Sequence, residues 1–429
     1  MQLSHSLTRR IVYIIIGVAA TLLVTLFVLN LLPQEKQLDK PLTGVSAVVS
    51  DQFRVEASSV LGPTILDGNS VQDLQNGDEI FPAMLEAIRG ARSSINLETY
   101  IYWSGEVSRR FIAALTERAR AGVKVNVLVD WIGARKMDDK VIGELRSAGV
   151  RFEYFHPLNW YTIDRLNNRT HRKLLIVDGR IGFTGGADIA DAWDGSAERP
   201  DHWRDMMFQV SGPIVAQIQA VFEDDWIKTT GDILLGPDYF PVLKETGTIA
   251  MQMFASSPRG GSANMQLMYL MAIDGARSSI DLEAAYFLPD TLTLHALKRA
   301  LRRGVKIRIV VPGPHAGPVT RDASQAIWGE MLRAGGHIYR FQPSLFHAKM
   351  MVVDRFLTIV GSANFDNRSF QLNDEANLNI YDHEFGKHMS RVVDGDIARS
   401  REVSLAEWKQ RPWTRKFMDW LSSLADSQL

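Results

Sequence analysis

Two distant segments of the chain carry almost the same sequence. Residues 91–103 read ARSSINLETYIYW, and residues 276–288 read ARSSIDLEAAYFL. Each segment follows an apolar helical pattern and precedes a second one, which ends at a glycine, Gly122 or Gly304, before a β-branched strand sequence. Strands that alternate with helices indicate a sheet covered by helices. The repeat therefore predicts an α/β protein of two halves related by a pseudo-twofold axis, each an α/β/α sandwich.

A polar motif, H-x-K-x(4)-D, also occurs in both halves. Four apolar residues separate its Lys from its Asp, which is typical of a strand. Residues two apart in a strand project from the same face, so His and Lys lie side by side. A single copy of the motif could be the polar end of an ordinary strand. Both copies, however, are followed at the same distance by a turn of small residues, GGAD at 185–188 and GSAN at 361–364, and this recurrence favours a functional site. The motif residues are His171, Lys173 and Asp178, and His347, Lys349 and Asp354.

Two histidines and two lysines on one axis are suited to phosphoryl transfer through a covalent intermediate. One imidazole can attack phosphorus while the other protonates the leaving alcohol and then deprotonates the incoming one. The ammonium groups can bind the nonbridging oxygens. Because lysine supplies the positive charge, and because the sequence shows neither H-E-x-x-H nor an acidic cluster near either histidine, we predict no metal and no cofactor.

A catalytic histidine needs a partner on its second ring nitrogen. Glu375 and Asp205 each stand at the start of an apolar strand sequence downstream of a motif, and they are the candidates for this role. The motif aspartates Asp178 and Asp354 stand at turns instead. We expect them to accept backbone hydrogen bonds there rather than to contact substrate.

The N-terminal segment predicts a membrane anchor. Residues 11–32 read IVYIIIGVAATLLVTLFVLNLL, and as a helix they span about 33 Å, enough for the hydrocarbon core. The segment is longer than the apolar region of a signal peptide and no small-residue cleavage site follows it, so we interpret residues 1–32 as one uncleaved transmembrane helix. Arg9 and Arg10 bias the N-terminus toward the cytoplasm. We expect a protein of the cell (inner) membrane with its globular part on the outer, periplasmic face.

The remaining boundaries follow from composition and from the repeat. Clustered Gly, Pro and Thr between the halves are typical of a linker. Near the C-terminus, apolar residues such as Trp413, Phe417 and Trp420 recur at helical spacing, either for a membrane interface or for packing on the domain. The predicted organisation is a tether at 33–56, a first domain at 57–228, a linker at 229–248, a second domain at 249–410 and an amphipathic helix at 411–429.

Charge and cysteine content exclude several classes of function. The 48 Lys and Arg residues balance 49 Asp and Glu, which argues against a dedicated nucleic-acid-binding protein. Without cysteine, the chain has no disulfide, no cysteine zinc site, no iron–sulfur cluster and no thiol catalysis. Trp160 and Tyr161, close to His171, either enter lipid headgroups or pack inside the protein. We expect a membrane as a partner, and the oligomeric state stays open.

The doubled motif is the signature of the phospholipase D superfamily, which the chain resembles over roughly residues 57–410. GSANFDNRSFQLNDE at 361–375 and NLETYIYW at 96–103 are similar to bacterial cardiolipin synthases. The resemblance implies two phospholipase D-like halves and transfer of a phosphatidyl group from phosphatidylglycerol to a second lipid alcohol. This reaction releases glycerol and passes through a phosphohistidine.

The resemblance also implies roles for individual residues. The two motif histidines are the nucleophile and the acid/base, and the analogy with single-chain relatives favours His171 as the nucleophile. The two motif lysines bind phosphate together with Asn364 and Ser362, while Glu375 and Asp205 orient the histidines.

One position departs from the family pattern. Asp188 stands where an Asn, the counterpart of Asn364, is usual. An ionised Asp cannot donate to phosphate and repels it. Asp188 is therefore protonated, is turned to a lysine, or lies outside the substrate-binding site.

Two other functions fit the same motifs. A hydrolase of this fold, acting on phospholipid or less readily on nucleic acid, would share every step up to the phosphohistidine and use water as acceptor. A non-catalytic membrane scaffold with a decayed site would explain Asp188 but not the intact His and Lys of both halves.

Overall fold

The computed structural model describes residues 5–31, 38–158, 167–257, 264–315 and 318–412. Trp160, Tyr161, Leu32 and the predicted C-terminal helix from Trp413 onward lie outside these ranges. The described helices are α1 (His5–Leu31), α2 (Asp51–Leu61), α3 (Asn76–Gly90), α4 (Glu106–Arg120), α5 (Asp139–Ser147), α6 (Val215–Thr230), α7 (Asn264–Gly275), α8 (Thr291–Arg302), α9 (Pro318–Arg333), α10 (Asn367–Gln371), α11 (His383–Ala398) and α12 (Leu405–Gln410), with a short 3₁₀ helix at Asp191–Trp193.

The described strands also run through both halves. They are β1 (Leu66–Gln75), β2 (Ser94–Thr99), β3 (Lys124–Asp130), β4 (Arg151–Phe155), β5 (Leu174–Val177), β6 (Ile181–Gly185), β7 (Met206–Ser211), β8 (Ile249–Ser256), β9 (Ser279–Ala284), β10 (Phe287–Leu288), β11 (Lys306–Pro312), β12 (His337–Phe341), β13 (Lys349–Val353), β14 (Leu357–Gly361), β15 (Phe365–Asp366), β16 (Glu375–Tyr381) and β17 (Ser400–Glu402).

Within the described ranges, fifteen of these strands form one continuous sheet, in the order β17-β12-β11-β9-β13-β14-β16-β8-β1-β7-β6-β5-β2-β3-β4. Apart from β17 at one edge, the order reads the same from both ends toward the centre. There β1 and β8, one from each half, pair antiparallel. The prediction of an α/β protein with two related halves is confirmed. The halves also join edge to edge, so that their strands form one sheet, which the repeat alone does not predict.

Alternate residues of the motif strands pack into two hydrophobic cores, one on each face of the sheet. Leu175 and Val177 of β5 pack in a core of the first half under α3 and α4, whereas Leu174 and Ile176 face the other side of the sheet. On that other side, α6 and α11 cover a core to which both halves contribute. Strands buried on both faces read as continuous apolar runs, as these do.

Glycines end the matching helices α4 and α8 at equivalent positions. Gly122 and Gly304 both have φ +90°, a left-handed conformation that favours glycine. The next residue, Val123 or Val305, donates its N–H back into the last helical turn. The helix therefore stops, and the following strand starts, at the same point in each half.

Helix α2 packs on the second half. Phe53, Ala57 and Leu61 recur along one face and are buried in a core with residues of α7. Ser50 caps the helix by accepting the N–H of Phe53 (3.2 Å). Part of the predicted tether at 33–56 is thus a packed helix, because its apolar residues have helical spacing.

The predicted linker and the predicted membrane anchor differ in secondary structure. Residues 231–248, inside the predicted linker, contain turns but no helix or strand among the positions described there. Helix α1 covers most of residues 1–32, where the sequence predicts a transmembrane anchor. In the described part of the chain, no helix combines the length and hydropathy of a membrane span.

Candidate active site

The segments that precede the motif strands cross from one half to the other. The N–H of His171 donates to the carbonyl of Asp374 (2.8 Å), and the N–H of His347 donates to the carbonyl of Arg204 (2.7 Å). Isolated parallel bridges accompany both contacts. Because each carbonyl belongs to the residue directly before a predicted orienting acid, the bridges place each histidine beside the acid of the opposite half.

Each histidine is hydrogen-bonded to that acid. Nδ1 of His171 donates to Glu375, 3.1 Å from either carboxylate oxygen. Nδ1 of His347 donates to Asp205 Oδ2 (2.6 Å). Since a carboxylate only accepts, Nδ1 carries the proton and the neutral ring keeps a lone pair on Nε2. The order of residues in the chain does not reveal this crosswise pairing, because Asp205 follows the motif of the first half and Glu375 follows that of the second.

Burial and charge shift the pKa values of these four groups. Burial lowers the pKa of His171, and burial together with the Lys349 charge lowers the pKa of His347 to about 4. Burial opposes ionisation of Glu375, but the contact with His171 prevails and lowers its pKa to about 2. The pKa of Asp205 is also lowered, against burial, by the nearby Lys349 and His347. Near neutral pH, both imidazoles are therefore neutral and both acids are ionised.

The two motif lysines approach the histidines differently. Lys349 Nζ lies 2.8 Å from Nδ1 and 3.3 Å from Nε2 of His347, and it donates to the His347 carbonyl (2.5 Å). Lys173 Nζ donates to the carbonyl of His171 (2.8 Å). The charge of each lysine also lowers the pKa of the histidine in the other half. The motif side chains of the two halves therefore lie close enough to influence one another's charge.

Asp188 is turned toward the site. Its buried carboxylate accepts hydrogen bonds from Thr99 Oγ1 (2.7 Å) and from the N–H groups of Tyr100 (3.1 Å) and Ile101 (3.0 Å). Its other oxygen forms an ion pair with Lys173 Nζ at 3.3 Å. Of the alternatives that the sequence leaves open, the structure therefore shows the contact with a lysine.

The other two predicted phosphate ligands have different surroundings. The Ser362 hydroxyl donates to Glu375 (2.5 Å) and accepts the N–H of Ala376 (3.0 Å). This differs from the predicted phosphate contact, because the hydroxyl proton is used by the orienting acid. Asn364 is buried, and its N–H donates to Ser369 Oγ (3.0 Å).

The motif aspartates lie at turns, both with φ +53°, and bind backbone. Asp178 accepts the N–H groups of three consecutive residues at the start of β2, and Asp354 does the same at the start of β9. The donors are Arg92, Ser93 and Ser94 in the first half and Arg277, Ser278 and Ser279 in the second. Burial opposes ionisation of Asp178, but these N–H groups outweigh it and lower its pKa. Their contacts tie the end of each motif strand to its neighbour.

Each half also buries a glutamate that lies outside the H-x-K-x(4)-D motif. Glu98 and Glu283 occupy matching positions in the repeated strand, a signal that the sequence offered. Burial, and then a neighbouring aspartate, raise the pKa of both well above the usual range. The aspartates, Asp225 and Asp396, form ion pairs with Arg172 (3.1 Å) and Arg204 (2.8 Å). These buried pairs hold the residues directly next to His171 and Asp205.

Two tryptophan rings lie against one side of His347. Trp193 Nε1 donates to Asp205 Oδ2 (2.8 Å), and its ring meets His347 edge-on at 5.3 Å. The Trp203 ring lies 5.5 Å from His347. No repeat pattern marks these residues, because they lie in a segment that the second half does not match.

An acidic group lies close to His171, contrary to expectation. Carboxylate oxygens of Asp224, Asp225 and Asp374 lie within 4.8 Å of one another. Lys228 Nζ contacts all three, at 2.7 to 2.9 Å. A lysine therefore occupies the place between these carboxylates and compensates their charge.

Comparison with known proteins agrees with this geometry. Residues 84–226 and 269–397 match the family profile described as "Cardiolipin synthase, PLD-like domain". Cardiolipin synthase A of Pseudomonas fluorescens is 34% identical over 348 residues, which cover 80% of this chain and 72% of that protein. The major cardiolipin synthase ClsA of Bacillus subtilis is 35% identical over 353 residues, which cover 81% and 73%.

The fold is also similar to that of a solved structure. Phosphatidylserine synthase from Haemophilus influenzae superposes with a TM-score of 0.64 at 14% identity, over 88% of this chain and 100% of that one. The extent of the profile match and the identity to these relatives show that the chain belongs to the cardiolipin synthase family of phospholipase D-like proteins.

Proposed function

We propose that this protein is a phosphatidyltransferase that moves a phosphatidyl group from phosphatidylglycerol to a second lipid alcohol and so produces cardiolipin. The observation that carries the proposal is the crosswise pairing of His171 with Glu375 and of His347 with Asp205. It gives two oriented imidazoles beside two lysines, which is what a covalent route at phosphorus requires. The curated relatives, named cardiolipin synthases, support the choice of substrate.

In the proposed mechanism, His171 Nε2 attacks phosphorus and forms the N–P bond as the bond from phosphorus to the glycerol oxygen breaks. Protonated His347 gives its proton to that oxygen, and glycerol leaves. His347 then takes the proton of the second alcohol, whose oxygen attacks phosphorus and breaks the N–P bond. The negative phosphate raises the pKa of His347 and favours its protonated form when substrate is bound.

The charges around the two imidazoles support His171 as the nucleophile. Burial lowers the pKa of both rings. At His347 the Lys349 charge adds to this effect and lowers the pKa to about 4, whereas at His171 the Glu375 carboxylate opposes it. His171 is thus the more electron-rich imidazole and the better nucleophile, and His347 is suited to proton transfer.

We further propose that α1 holds the enzyme at the cell membrane with the globular part on the outer face. The helix has 27 residues, about 40 Å at the usual rise. Apolar side chains such as Ile14, Ile15 and Ile16 are exposed along it, and Arg9 and Arg10 precede them. Protease added to intact spheroplasts should then digest the globular part. Digestion only after lysis would place it inside.

The lipid products test the proposed function. Full-length protein in detergent micelles with phosphatidylglycerol and EDTA should form cardiolipin and glycerol in equal amounts. Phosphatidic acid as the sole lipid product would identify a hydrolase, and no turnover would favour a scaffold. His347→Ala should lower the rate at least about a thousandfold. The control His388→Ala, which removes an imidazole paired with Asp73 outside the site, should keep the wild-type rate.

A further inference from the structure

Asp188 gives the two phosphate-binding lysines different surroundings. Lys173 Nζ lies 3.3 Å from the Asp188 carboxylate, and both side chains are buried. In the second half the corresponding residue is the neutral Asn364. Among the described residues Lys349 forms no ion pair, and its ammonium contacts His347 instead. One lysine therefore forms an ion pair with a carboxylate, and the other does not.

The carboxylate of Asp188 is fixed in this position. One oxygen accepts three hydrogen bonds, from Thr99, Tyr100 and Ile101, at 2.7 to 3.1 Å. These bonds hold the other oxygen toward Lys173. A bound phosphate must therefore share Lys173 with a carboxylate that cannot move aside, and each additional negative charge on the ligand increases the repulsion.

We infer that Asp188 neutralises Lys173 and thereby restricts the phosphate pocket to esters with one negative charge, so that the site selects phosphodiesters over phosphomonoesters. A phosphodiester carries one negative charge, whereas a phosphomonoester carries about −1.5 to −2 near pH 7. The selection excludes monoester lipids such as a phosphatidic acid from the site. The inference rests on the proposed function in taking the space between the histidines as a phosphate site.

Asp188→Asn tests the inference with little change in shape. The Asn Oδ1 can still accept the three hydrogen bonds, while the negative charge beside Lys173 is lost. The probes are methyl phosphate, a monoester, and dimethyl phosphate, a diester, titrated into the full-length protein in detergent by isothermal calorimetry. We expect Asp188→Asn to bind methyl phosphate about tenfold to a hundredfold more tightly, as expected for one charge-assisted hydrogen bond. The affinity for dimethyl phosphate should increase by a clearly smaller factor.

The reciprocal variant Asn364→Asp is the matched control. It gives the second half a carboxylate at the position that corresponds to Asp188 in the first half, and it should weaken the binding of methyl phosphate more than that of dimethyl phosphate. If Asp188→Asn does not unfold cooperatively on heating and is therefore not properly folded, the affinities of Asn364→Asp alone test the inference. A ratio of the two affinities that is the same in wild type and variants would overturn the inference while leaving the proposed function intact. If wild-type protein bound neither ester, both would fail together.

Discussion

Among single residues, Lys349 sets the alkaline limit of the site. Burial lowers its pKa to about 8, with the Lys173 charge acting in the same direction and Asp205 opposing. Its ammonium is charged below this pH and loses its proton above it. We therefore expect kcat/KM for phosphatidylglycerol to lose a further factor of about ten per pH unit above pH 8, in addition to the loss caused by deprotonation of His347. The acid limb should lie below pH 6.5, because burial lowers the pKa of His171.

A pH profile from about pH 6 to pH 10 checks this expectation. Lys349→Arg is the informative variant, since arginine keeps its charge throughout the range. The additional decrease above pH 8 should disappear in that variant. A wild-type kcat/KM that stayed constant up to pH 10 would contradict the role given to Lys349.

The sequence singled out the residues that the structure brings together, but not which acid pairs with which histidine. His171, Lys173, His347 and Lys349 follow from a spacing rule within one strand. The bond from His171 to Glu375 joins two halves of the chain, and no local pattern encodes it. Likewise, only the structure distinguishes among the possible states of Asp188, because the choice depends on where Lys173 lies.

At the scale of strands and helices, the motif aspartates fix the ends of the central strands. Asp178→Ala leaves the N–H groups at the start of β2 without their acceptor, and Asp354→Ala does the same for β9. Unsatisfied backbone donors are costly, so each change should lower the free energy of unfolding by about 2–4 kcal/mol. Urea unfolding followed by circular dichroism measures this loss.

Asp67→Ala is the control for this experiment. Asp67 forms a surface ion pair with Arg54, and such pairs contribute little. Its removal should change the free energy of unfolding by less than about 1 kcal/mol. Equal effects of the three substitutions would contradict the structural role of the motif aspartates.

Element positions were predictable where the sequence contains a continuous apolar run, as in β5 and β13. The join between the halves was not, because β1 reads LDGNSVQDLQ, a largely polar sequence that gives no sign of a strand at the centre of a sheet. Helix α2 was likewise assigned to a tether, since its three buried residues are spread over a short polar segment.

For the whole molecule, the two halves build one site and share one sheet. The core under α6 and α11 contains residues of both halves, so separating them would expose apolar surface to water. The crosswise hydrogen bonds lie at the same junction. The repeat therefore functions as a unit, with one half supplying each imidazole and the other half its orienting acid.

The central claim is that His171 forms the covalent bond to phosphorus while His347 transfers the proton. A phosphatidyl ester of p-nitrophenol tests it directly, because this leaving group departs without protonation. The His347→Ala variant should then release one equivalent of p-nitrophenolate per site and, after alkaline quenching, show a phosphatidyl adduct on His171 by mass spectrometry of peptides. An adduct and burst in His171→Ala instead, or an adduct on neither histidine in active enzyme, would contradict this account.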